Sequence, residues 1–425
     1  MTNAGYWDSP WPGEDGGPLR LQTSPMVNGP RFVAGEVSVT SREAVAATML
    51  VLRDPGEVFV LRHTVGPDSS GWVERVHAET LETEARSPEL VGGPNWPGGL
   101  AAHRNGSLYV VFGEHAHRLS ANLEIEATVS LPRHRPYNSF VILPDGCLAT
   151  KDFGGLLPGH DRQSFDPVPT ELLILDPEDL RIRARFELPE PSIARLSADA
   201  NDIYVVGTSS LYRVNWNGES LALDETFTPR YRTIDGQTYG WDSVLALGAV
   251  WFLDNGEGAE RYVGTFRDQG INVAPLHLVR IDLETQAVSL TEICGLPNSV
   301  IANPPLIDQQ RRIAVGYDSG NGVMTAFDIA ADGSLNLRWT RQQNHAAHML
   351  LFADSGELVT TDHHRENMAD EIVVLDIESG DERLRVNAAS PLQSVLFPAV
   401  GWNNDFYYCS LPTVTRVAGR SLDAG

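Results

Sequence analysis

Residues 138–152 read NSFVILPDGCLATKD, and this pattern recurs along the whole chain. A polar pair leads into an apolar strand, Pro-Asp-Gly is a typical turn, and a second apolar strand ends in an acid. Related segments occupy residues 242–254, 298–318, 348–362 and 393–410, and looser copies occupy residues 47–63, 99–114 and 193–207. Each copy predicts an antiparallel pair of strands, and the repetition indicates an architecture of stacked units.

A second kind of segment follows most of these copies. It is an apolar strand that ends in Asp, as in LLILD at residues 172–176, LVRID at residues 278–282 and VVLD at residues 373–376. No convincing pattern of a long amphipathic helix occurs, so we predict an all-β protein. The two segments together make a four-stranded antiparallel sheet, and copies of such a sheet around an axis form a β-propeller.

The number of copies predicts the number of blades. Eight copies divide the 425 residues into units of about 53, close to the ~50 residues of some propeller repeats. Seven blades are the alternative if one loose copy is not a blade. The last copy ends after three strands, so we predict that residues 31–39 supply the missing outer strand and close the ring. The predicted organisation is a loose arm at residues 1–30, one propeller domain at residues 31–418 and a tail at residues 419–425.

Charge and cysteine content limit the partners and the compartment. The 32 cations and 56 acids give a net charge of −24, which argues against nucleic acid and anionic membranes as partners. No apolar run reaches the ~20 residues of a membrane-spanning helix, and no secretory signal core is evident. The three cysteines are odd in number and far apart, which is typical of reduced intracellular proteins. We therefore expect a cytoplasmic protein, and the sequence leaves its oligomeric state open.

Some strands resemble those of known propeller families. PGGLA at residues 97–101 with GSLYV at residues 106–110, and LPNSV at residues 296–300, resemble strands of the gluconolactonase/regucalcin and strictosidine-synthase-like propellers. In those relatives an Asn or Asp that begins an inner strand often binds a divalent metal in the channel. VLDIESG at residues 374–380 is similar to a turn of quinoprotein propellers, which commonly have eight blades. The tryptophan-docking motif of quinone dehydrogenases is not evident, so neither a quinone nor a nucleotide is expected.

Propeller geometry gathers the unusual side chains at one mouth of the channel. Inner strands begin there, second strands end there, and the loops between blades open there. Residues 154–169 and 256–275 are long insertions after second strands and should lie over this mouth as lids. The predicted metal ligands are Asn138, Asp242, Asn298 and His348, the predicted catalytic groups are Lys151, Asp152, His115 and His363, and the predicted substrate-binding residues are Arg133, Arg135, Tyr137, Arg230, Arg232 and Trp241.

Structural explanations compete with these roles. An Asp at a strand end, such as Asp152, often only satisfies a turn, and the polar pairs at residues 138–139 and 242–243 could simply hydrogen-bond neighbouring blades. Lys151 is the only lysine beside 31 arginines. It is either a channel-facing amine with a lowered pKa or a surface residue left by compositional drift towards arginine.

Two hypotheses for function remain, since the chain lacks the G-x-S-x-G, P-loop, H-E-x-x-H and C-x-x-C motifs. The first is an enzyme that acts on a small anionic organic molecule at the lidded mouth. Its chemistry would be metal-assisted or acid–base, as in a hydrolase or lactonase or in a lyase or isomerase, with one divalent metal, calcium or a transition metal, as the candidate cofactor. The second is a non-catalytic propeller that binds a ligand or a protein.

Overall fold

The computed structural model describes residues 4–32, 36–94, 96–157 and 162–419. Within these ranges the chain forms eight antiparallel sheets and only two single-turn 3-10 helices, Glu14–Gly16 and Ala259–Arg261. The predicted all-β propeller of eight blades is confirmed, and the seven-blade alternative is wrong. No helix in the described ranges has the length and apolar character that crossing a membrane requires.

The strands run outward from the axis in chain order within each blade, except that β1 (Val37–Glu43) belongs to the last blade. Blade 1 is β2 (Ala47–Leu52), β3 (Val58–His63), β4 (Ser69–Val76) and β5 (Thr83–Arg86), with β6 (Leu90–Gly93) also paired to β4. Blade 2 is β7 (Gly99–Ala102), β8 (Leu108–Phe112), β9 (His115–Leu119) and β10 (Ile125–Ser130). Blade 3 is β11 (Tyr137–Ile142), β12 (Leu148–Asp152), β13 (Glu171–Leu175) and β14 (Ile182–Glu187). Blade 4 is β15 (Ser197–Asp199), β16 (Asp202–Val206), β17 (Leu211–Trp216) and β18 (Leu221–Leu223).

The second half of the chain repeats this plan. Blade 5 is β19 (Val244–Ala246), β20 (Ala249–Leu253), β21 (His277–Asp282) and β22 (Val288–Glu292). Blade 6 is β23 (Leu306–Asp308), β24 (Ile313–Asp318), β25 (Val323–Ile329) and β26 (Leu335–Gln342). Blade 7 is β27 (Leu350–Phe352), β28 (Glu357–His364), β29 (Ala369–Asp376) and β30 (Glu382–Ser390), and blade 8 is β31 (Pro398–Val400), β32 (Asp405–Cys409) and β33 (Thr413–Gly419) with β1.

Burial of the strands explains the sequence pattern. The second strand of blade 3, β12, is buried along its whole length, whereas the outermost strand β14 alternates between half-buried and exposed positions. A middle strand has neighbouring blades against both faces, but an outermost strand turns one face to solvent. The continuous apolar runs found in the sequence are therefore the second and third strands.

Ring closure occurs as predicted but with a shifted strand. β1 pairs antiparallel with β33 from Val37 opposite Gly419 to Glu43 opposite Thr413. The closing strand is thus Val37–Glu43 and not residues 31–39, of which residues 33–35 lie outside the described ranges. The backbone N–H groups of Arg31 and Phe32 donate instead to the Glu357 carboxylate of blade 7, because this buried acid needs donors.

Three predicted inner strands are displaced along the chain. In blade 6 the inner strand is Leu306–Asp308, not residues 298–301, and the strands of blades 4 and 8 also begin later than their polar residues suggested. Asn298 is exposed and left-handed, with a φ of 62°. This conformation suits a turn and not a strand, and Asn adopts it readily.

Residues 419–425 were predicted as a tail, and those beyond 419 lie outside the described ranges.

The N-terminal segment is not the loose arm that its composition suggested. We call the end of the channel at which the inner strands begin the upper mouth. Residues 11–22 of this segment lie in the channel, where Trp11 and Arg20 are each only 1% exposed. Their carbonyl groups accept hydrogen bonds from inner strands of five blades: Leu52 N to Trp11 O 2.8 Å, Ala102 N to Pro12 O 2.7 Å, Ala198 N to Pro18 O 2.8 Å, Leu245 N to Leu19 O 2.9 Å and Leu351 N to Gln22 O 2.8 Å.

A physical need explains this arrangement. The innermost strand of every blade has one edge without a sheet partner, and a buried N–H group without a partner is costly. The arm supplies the missing acceptors, and its proline and glycine residues let it follow an irregular path around the ring. The polar, Pro/Gly-rich composition of the N-terminal segment therefore reflects its irregular backbone path in the channel, and the prediction of a loose arm is wrong.

Candidate functional site

A buried network of charges joins the arm to the blades. Arg20 of the arm pairs with Asp15 at 2.9 Å and also with Glu14, while Arg195 of blade 4 lies 3.2 Å from Glu14. Two further members, Asp242 and His348, complete this channel cluster of Glu14, Asp15, Arg20, Arg195, Asp242 and His348. Its members are all at most 5% exposed. Buried charges persist only when paired, so the cluster fixes the arm in place.

His348 and Asp242 are held by this cluster. His348 Nδ1 lies 2.9 Å from Asp15 Oδ1, and Asp242 Oδ1 accepts from the Arg195 backbone N–H at 2.7 Å. Burial tends to raise the pKa of Asp15, but the charge and hydrogen bond of His348, together with Arg20, outweigh it and lower that pKa. These two predicted metal ligands therefore already have partners, His348 in the arm and Asp242 in Arg195.

The predicted metal site is not assembled from all four of its residues. Asn138, Asp242 and His348 each keep a buried side-chain atom without a hydrogen-bond partner, but the Asp242 atom, Oδ2, lies 3.6 Å from Arg195 Nε. Asn298, however, is exposed on a turn and does not belong to the channel. In the described part of the chain no three His, Cys, Asp or Glu side chains are grouped to hold a metal ion. The cations Arg20 and Arg195 in the same cluster also repel a divalent ion, so these residues do not fit a metal site.

Lys151 is buried and not on the surface. Its side chain is 0% exposed, and Nζ donates to the Ser192 carbonyl at 3.0 Å. Burial, the largest effect, lowers the pKa of Lys151 to about 7; the charges of Asp152 and Asp242 oppose this shift, and Arg195 and Arg20 add to it. The interpretation of Lys151 as a surface remnant is wrong.

Asp152 and the arginines beside it neutralise one another. Asp152 accepts from the Glu171 backbone N–H at 2.6 Å and lies 3.4 Å from both Arg133 and Arg135. Arg133 also pairs with Glu187 at 2.8 Å. These two predicted substrate-binding arginines therefore have internal partners.

The predicted aromatic contacts are packed beneath the surface. Tyr137 is fully buried, and burial raises the pKa of its hydroxyl. Trp241 is buried against Trp96 and Phe153, and the Trp96 and Phe153 rings stack with centroids 4.5 Å apart. Pro97, the neighbour of Trp96, accepts from Arg195 Nη2 at 2.9 Å, so this aromatic group lies next to the channel cluster.

His115 has partners for both ring nitrogens. Nδ1 lies 2.8 Å from the Gly92 carbonyl and Nε2 lies 3.1 Å from the Ser130 hydroxyl. It begins β9 and does not end β8 as predicted. No free nitrogen remains on His115 to take a proton, so it is the weaker of the two candidate histidine bases.

His363 lines a cavity at the upper mouth. The cavity measures about 300 Å³ and is bounded by Arg267, Gly322, residues 342–344 and residues 362–367; we call it the His363 cavity. His363 is 4% exposed, and its Nε2 lies 3.1 Å from the Pro391 carbonyl while Nδ1 has no partner. Burial, the largest effect, lowers the pKa of His363 and so favours its neutral imidazole.

Both insertions lie at this mouth, as predicted from their place after second strands. The loop from β12 to β13 and the loop from β20 to β21 meet where Arg162 pairs with Glu257 and Glu260. The second loop then reaches blade 8, where Phe266 N donates to Gln393 Oε1 at 2.7 Å. The part of the first loop at residues 158–161 lies outside the described ranges.

Arg230 and Arg232 lie apart from the other candidates. They are exposed in the connection between blades 4 and 5. Both line a separate concave surface, which encloses a volume of about 660 Å³. The predicted site is therefore divided into the dry channel cluster, the His363 cavity and this arginine pair.

The sequence analysis missed four members of the channel cluster. Glu14, Asp15 and Arg20 lie in the segment interpreted as a loose arm, where no repeat marks them. Arg195 could have been found: it precedes the end of β15 by four residues, as Asn138 does for β11, Asp242 for β19 and His348 for β27.

Comparisons with known proteins establish the fold. No family model matches the chain, and no curated protein matches it in sequence. Similar solved structures include quinohemoprotein alcohol dehydrogenase ADHIIG from Pseudomonas putida HK5, with a TM-score of 0.62, 10% identity and coverage of 99% of this chain and 81% of that one. Quinohemoprotein alcohol dehydrogenase from Comamonas testosteroni has a TM-score of 0.63 and 9% identity, with coverage of 97% of this chain and 81% of that one. BamB from Moraxella catarrhalis has a TM-score of 0.56 and 11% identity, with coverage of 92% of this chain and 99% of that one. These structures place the chain among the β-propeller proteins. At this identity they carry the fold alone, which hosts unrelated functions.

Proposed function

We propose that this propeller is an enzyme that moves a proton on a small anionic organic molecule in the His363 cavity. The reaction class is that of a hydrolase or lactonase, or of a lyase or isomerase. The observation that carries the proposal is His363 itself, a buried and neutral imidazole that lines a cavity under a long loop and has one ring nitrogen fixed. A volume of about 300 Å³ suits a small molecule.

The hydrogen bond to Pro391 defines which nitrogen acts. A carbonyl oxygen only accepts, so His363 Nε2 carries the proton and Nδ1 keeps its lone pair. A lowered pKa keeps that lone pair free at neutral pH. Nδ1, which is buried and has no hydrogen-bond partner, is therefore the proposed proton acceptor, and the substrate must displace the side chains that cover it. The Pro391 carbonyl orients the ring and supports the positive charge that forms on it.

The charge of the substrate follows from two arginines of the cavity. Arg267 and Arg365 both approach Asp268, whose side chain is 64% exposed. An exposed ion pair contributes little stability, so a substrate carboxylate replaces Asp268 between the two guanidinium groups at small cost. In a chain of net charge −24, these arginines also attract the anion to the mouth.

A panel of small carboxylic acids, esters and lactones tests the proposal on the full chain. Binding is measured by the thermal shift at low ionic strength, and turnover of each bound compound is followed by proton NMR. We expect Arg267→Gln to weaken binding about tenfold or more, and His363→Gln to keep binding while lowering kcat about 100-fold or more.

His134→Gln is the matched control, because His134 is an exposed histidine of the same mouth, 77% exposed at its side chain. It should change neither value. Compounds that bind to the cavity but are not turned over would support the non-catalytic alternative, and unchanged turnover in His363→Gln would refute the role of His363.

A further inference from the structure

The connection between blades 4 and 5 holds two arginines in a rigid frame. Tyr231 N donates to the Ser209 carbonyl at 3.0 Å, and the Tyr231 hydroxyl donates to the Gly207 carbonyl at 2.6 Å. Tyr231, which stands between Arg230 and Arg232 in the sequence, has a fully buried side chain. The backbone that carries both arginines is therefore fixed to blade 4.

Gln237 fixes the other end of this connection. Its side chain is fully buried, and its Oε1 accepts from the backbone N–H groups of Thr233 at 2.8 Å and Ile234 at 3.2 Å. Its Nε2 donates to Asp254 Oδ2 at 2.8 Å. A buried amide that satisfies two loop donors and one acid of blade 5 defines the loop shape without any ligand.

The two guanidinium groups are oriented but not neutralised. Arg232 Nε donates to the Gln237 carbonyl at 2.6 Å, and Arg230 Nε donates to the Arg232 carbonyl at 3.3 Å. Across the residues that the structure describes, no carboxylate lies within 4.0 Å of either group, and their terminal nitrogens make no protein hydrogen bond. Most other arginines of this acidic chain have an acid partner, as Arg213 has in Asp224 on the same blade.

We propose that Arg230 and Arg232 form a binding site for an oxyanion, a phosphate or a carboxylate group of a small molecule. Both side chains line the concave surface of about 660 Å³ formed by residues 230–237. A guanidinium held through Nε presents its two terminal nitrogens as a fixed pair of donors, which matches two oxygens of such an anion. The site is separate from the His363 cavity and does not depend on the proposed catalysis.

Isothermal titration of the full chain with inorganic phosphate and, separately, with citrate tests the site at low ionic strength. We expect at least one anion to bind, and sodium chloride to weaken it. The double variant Arg230→Gln, Arg232→Gln should weaken binding about tenfold or more. Replacement of both arginines by lysine keeps the charge and the fold but loses the paired donors, and it should give an intermediate affinity.

The matched control carries the same change of net charge elsewhere. Arg75→Gln with Arg181→Gln removes two solvent-accessible arginines that have acid partners at 3.4 and 3.5 Å, and it should alter affinity less than twofold. The stronger of the two anions identifies a phosphate or a carboxylate ligand. No binding to the native chain, equal affinity in the double glutamine variant, or an equal loss in the control would overturn the proposal.

Discussion

The inner channel and the connection between blades 4 and 5 differ in how their arginines are paired. In the channel, Arg20 is 1% exposed and has two acids of its own segment as partners. In the connection, Arg230 is exposed and has no acid partner among the described residues. A buried charge must be paired for the fold to form, whereas an exposed charge is free to bind a ligand. Charge alone therefore does not identify a functional residue, and the lack of an internal partner is what distinguishes Arg230 from Arg20.

Removal of the arm should have the largest effect on the channel. Deletion of residues 2–24 leaves the closing strand β1 intact but exposes the inner strands of the ring. Loss of the Trp11 side chain alone costs ~3–5 kcal/mol, so we expect the deletion to abolish cooperative thermal unfolding. Differential scanning calorimetry measures this, and a synthetic peptide of residues 2–24 added in trans should restore part of the transition. A shortened chain that melts at the native temperature would show that the arm is loose.

Loss of a single buried charge should rank next. Arg20→Met leaves Glu14 and Asp15 buried without their common partner, and we expect a loss of ~3–5 kcal/mol in the free energy of unfolding. Addition of Glu14→Gln and Asp15→Asn should recover part of that loss, since the unpaired charges are then removed. Urea denaturation of the three proteins checks the order, and equal stability of Arg20→Met and the native chain would contradict it.

Lys151 should lower stability in a pH-dependent way. The pKa of Lys151 in the folded protein is about 7, below the ordinary value of 10.5. Between pH 7 and 10.5 the native state therefore binds fewer protons than the unfolded state. The free energy of unfolding consequently decreases as the pH falls from 10.5 to 7. Lys151→Met removes the cost of burying the amine, and we expect it to stabilise the chain by on the order of a few kcal/mol at about pH 6 and by little above pH ~10.5.

The single lysine also allows a direct measurement. Selective labelling of lysine with carbon-13 at Cε gives one side-chain signal from the folded protein, because Lys151 is the only lysine. The chemical shift of that signal should titrate near pH 7. A midpoint near the ordinary value would contradict the full burial of the Lys151 amine.

The pH profile of turnover separates the two candidate bases. If His363 accepts the proton, kcat/KM should rise with pH through a value below the ordinary 6.5 and stay level above it, because burial lowers the pKa of His363. If Lys151 were the base, the rise would instead be centred at about 7. A profile measured for any compound that the cavity turns over, repeated with Lys151→Met, distinguishes the mouth from the channel as the place of chemistry.

The contact between the two long loops should contribute least. Arg162 is 40% exposed at its side chain where it pairs with Glu257 and Glu260, and such pairs contribute about 0–1 kcal/mol. We expect Arg162→Gln to leave the melting temperature nearly unchanged while it speeds proteolysis within the first loop. Large destabilisation would mean that the loops belong to the folding core.

The fold was predictable because it depends on local patterns. Continuous apolar runs mark the second and third strands, turn residues separate them, and eight copies give eight blades. The placement of both long loops at the upper mouth followed from strand order alone. The position of inner strands was less predictable, because strands such as β23 are only three residues long and lie between irregular connections.

The candidate site was predictable only in part. His363 could be predicted as a site residue because it lies near the end of a second strand. Its cavity could not be predicted from the sequence, because blade 6, blade 7 and the loop from β20 to β21 bound it together. Arg133 and Arg230 look alike in sequence, since each is followed two residues later by another arginine. Acids from three other strands neutralise Arg133, and none in the described part of the chain lies within 4.0 Å of Arg230.

By itself, the sequence determined an eight-bladed ring, its closure by an N-terminal strand and the mouth at which polar side chains collect, because these depend on periodicity and chain order. The tertiary structure alone decided that the N-terminal segment fills the channel, that Lys151 is buried and that Arg20 is paired while Arg230 has no acid partner among the described residues. These outcomes depend on which distant segments supply hydrogen-bond acceptors and opposite charges, and no local pattern records that choice.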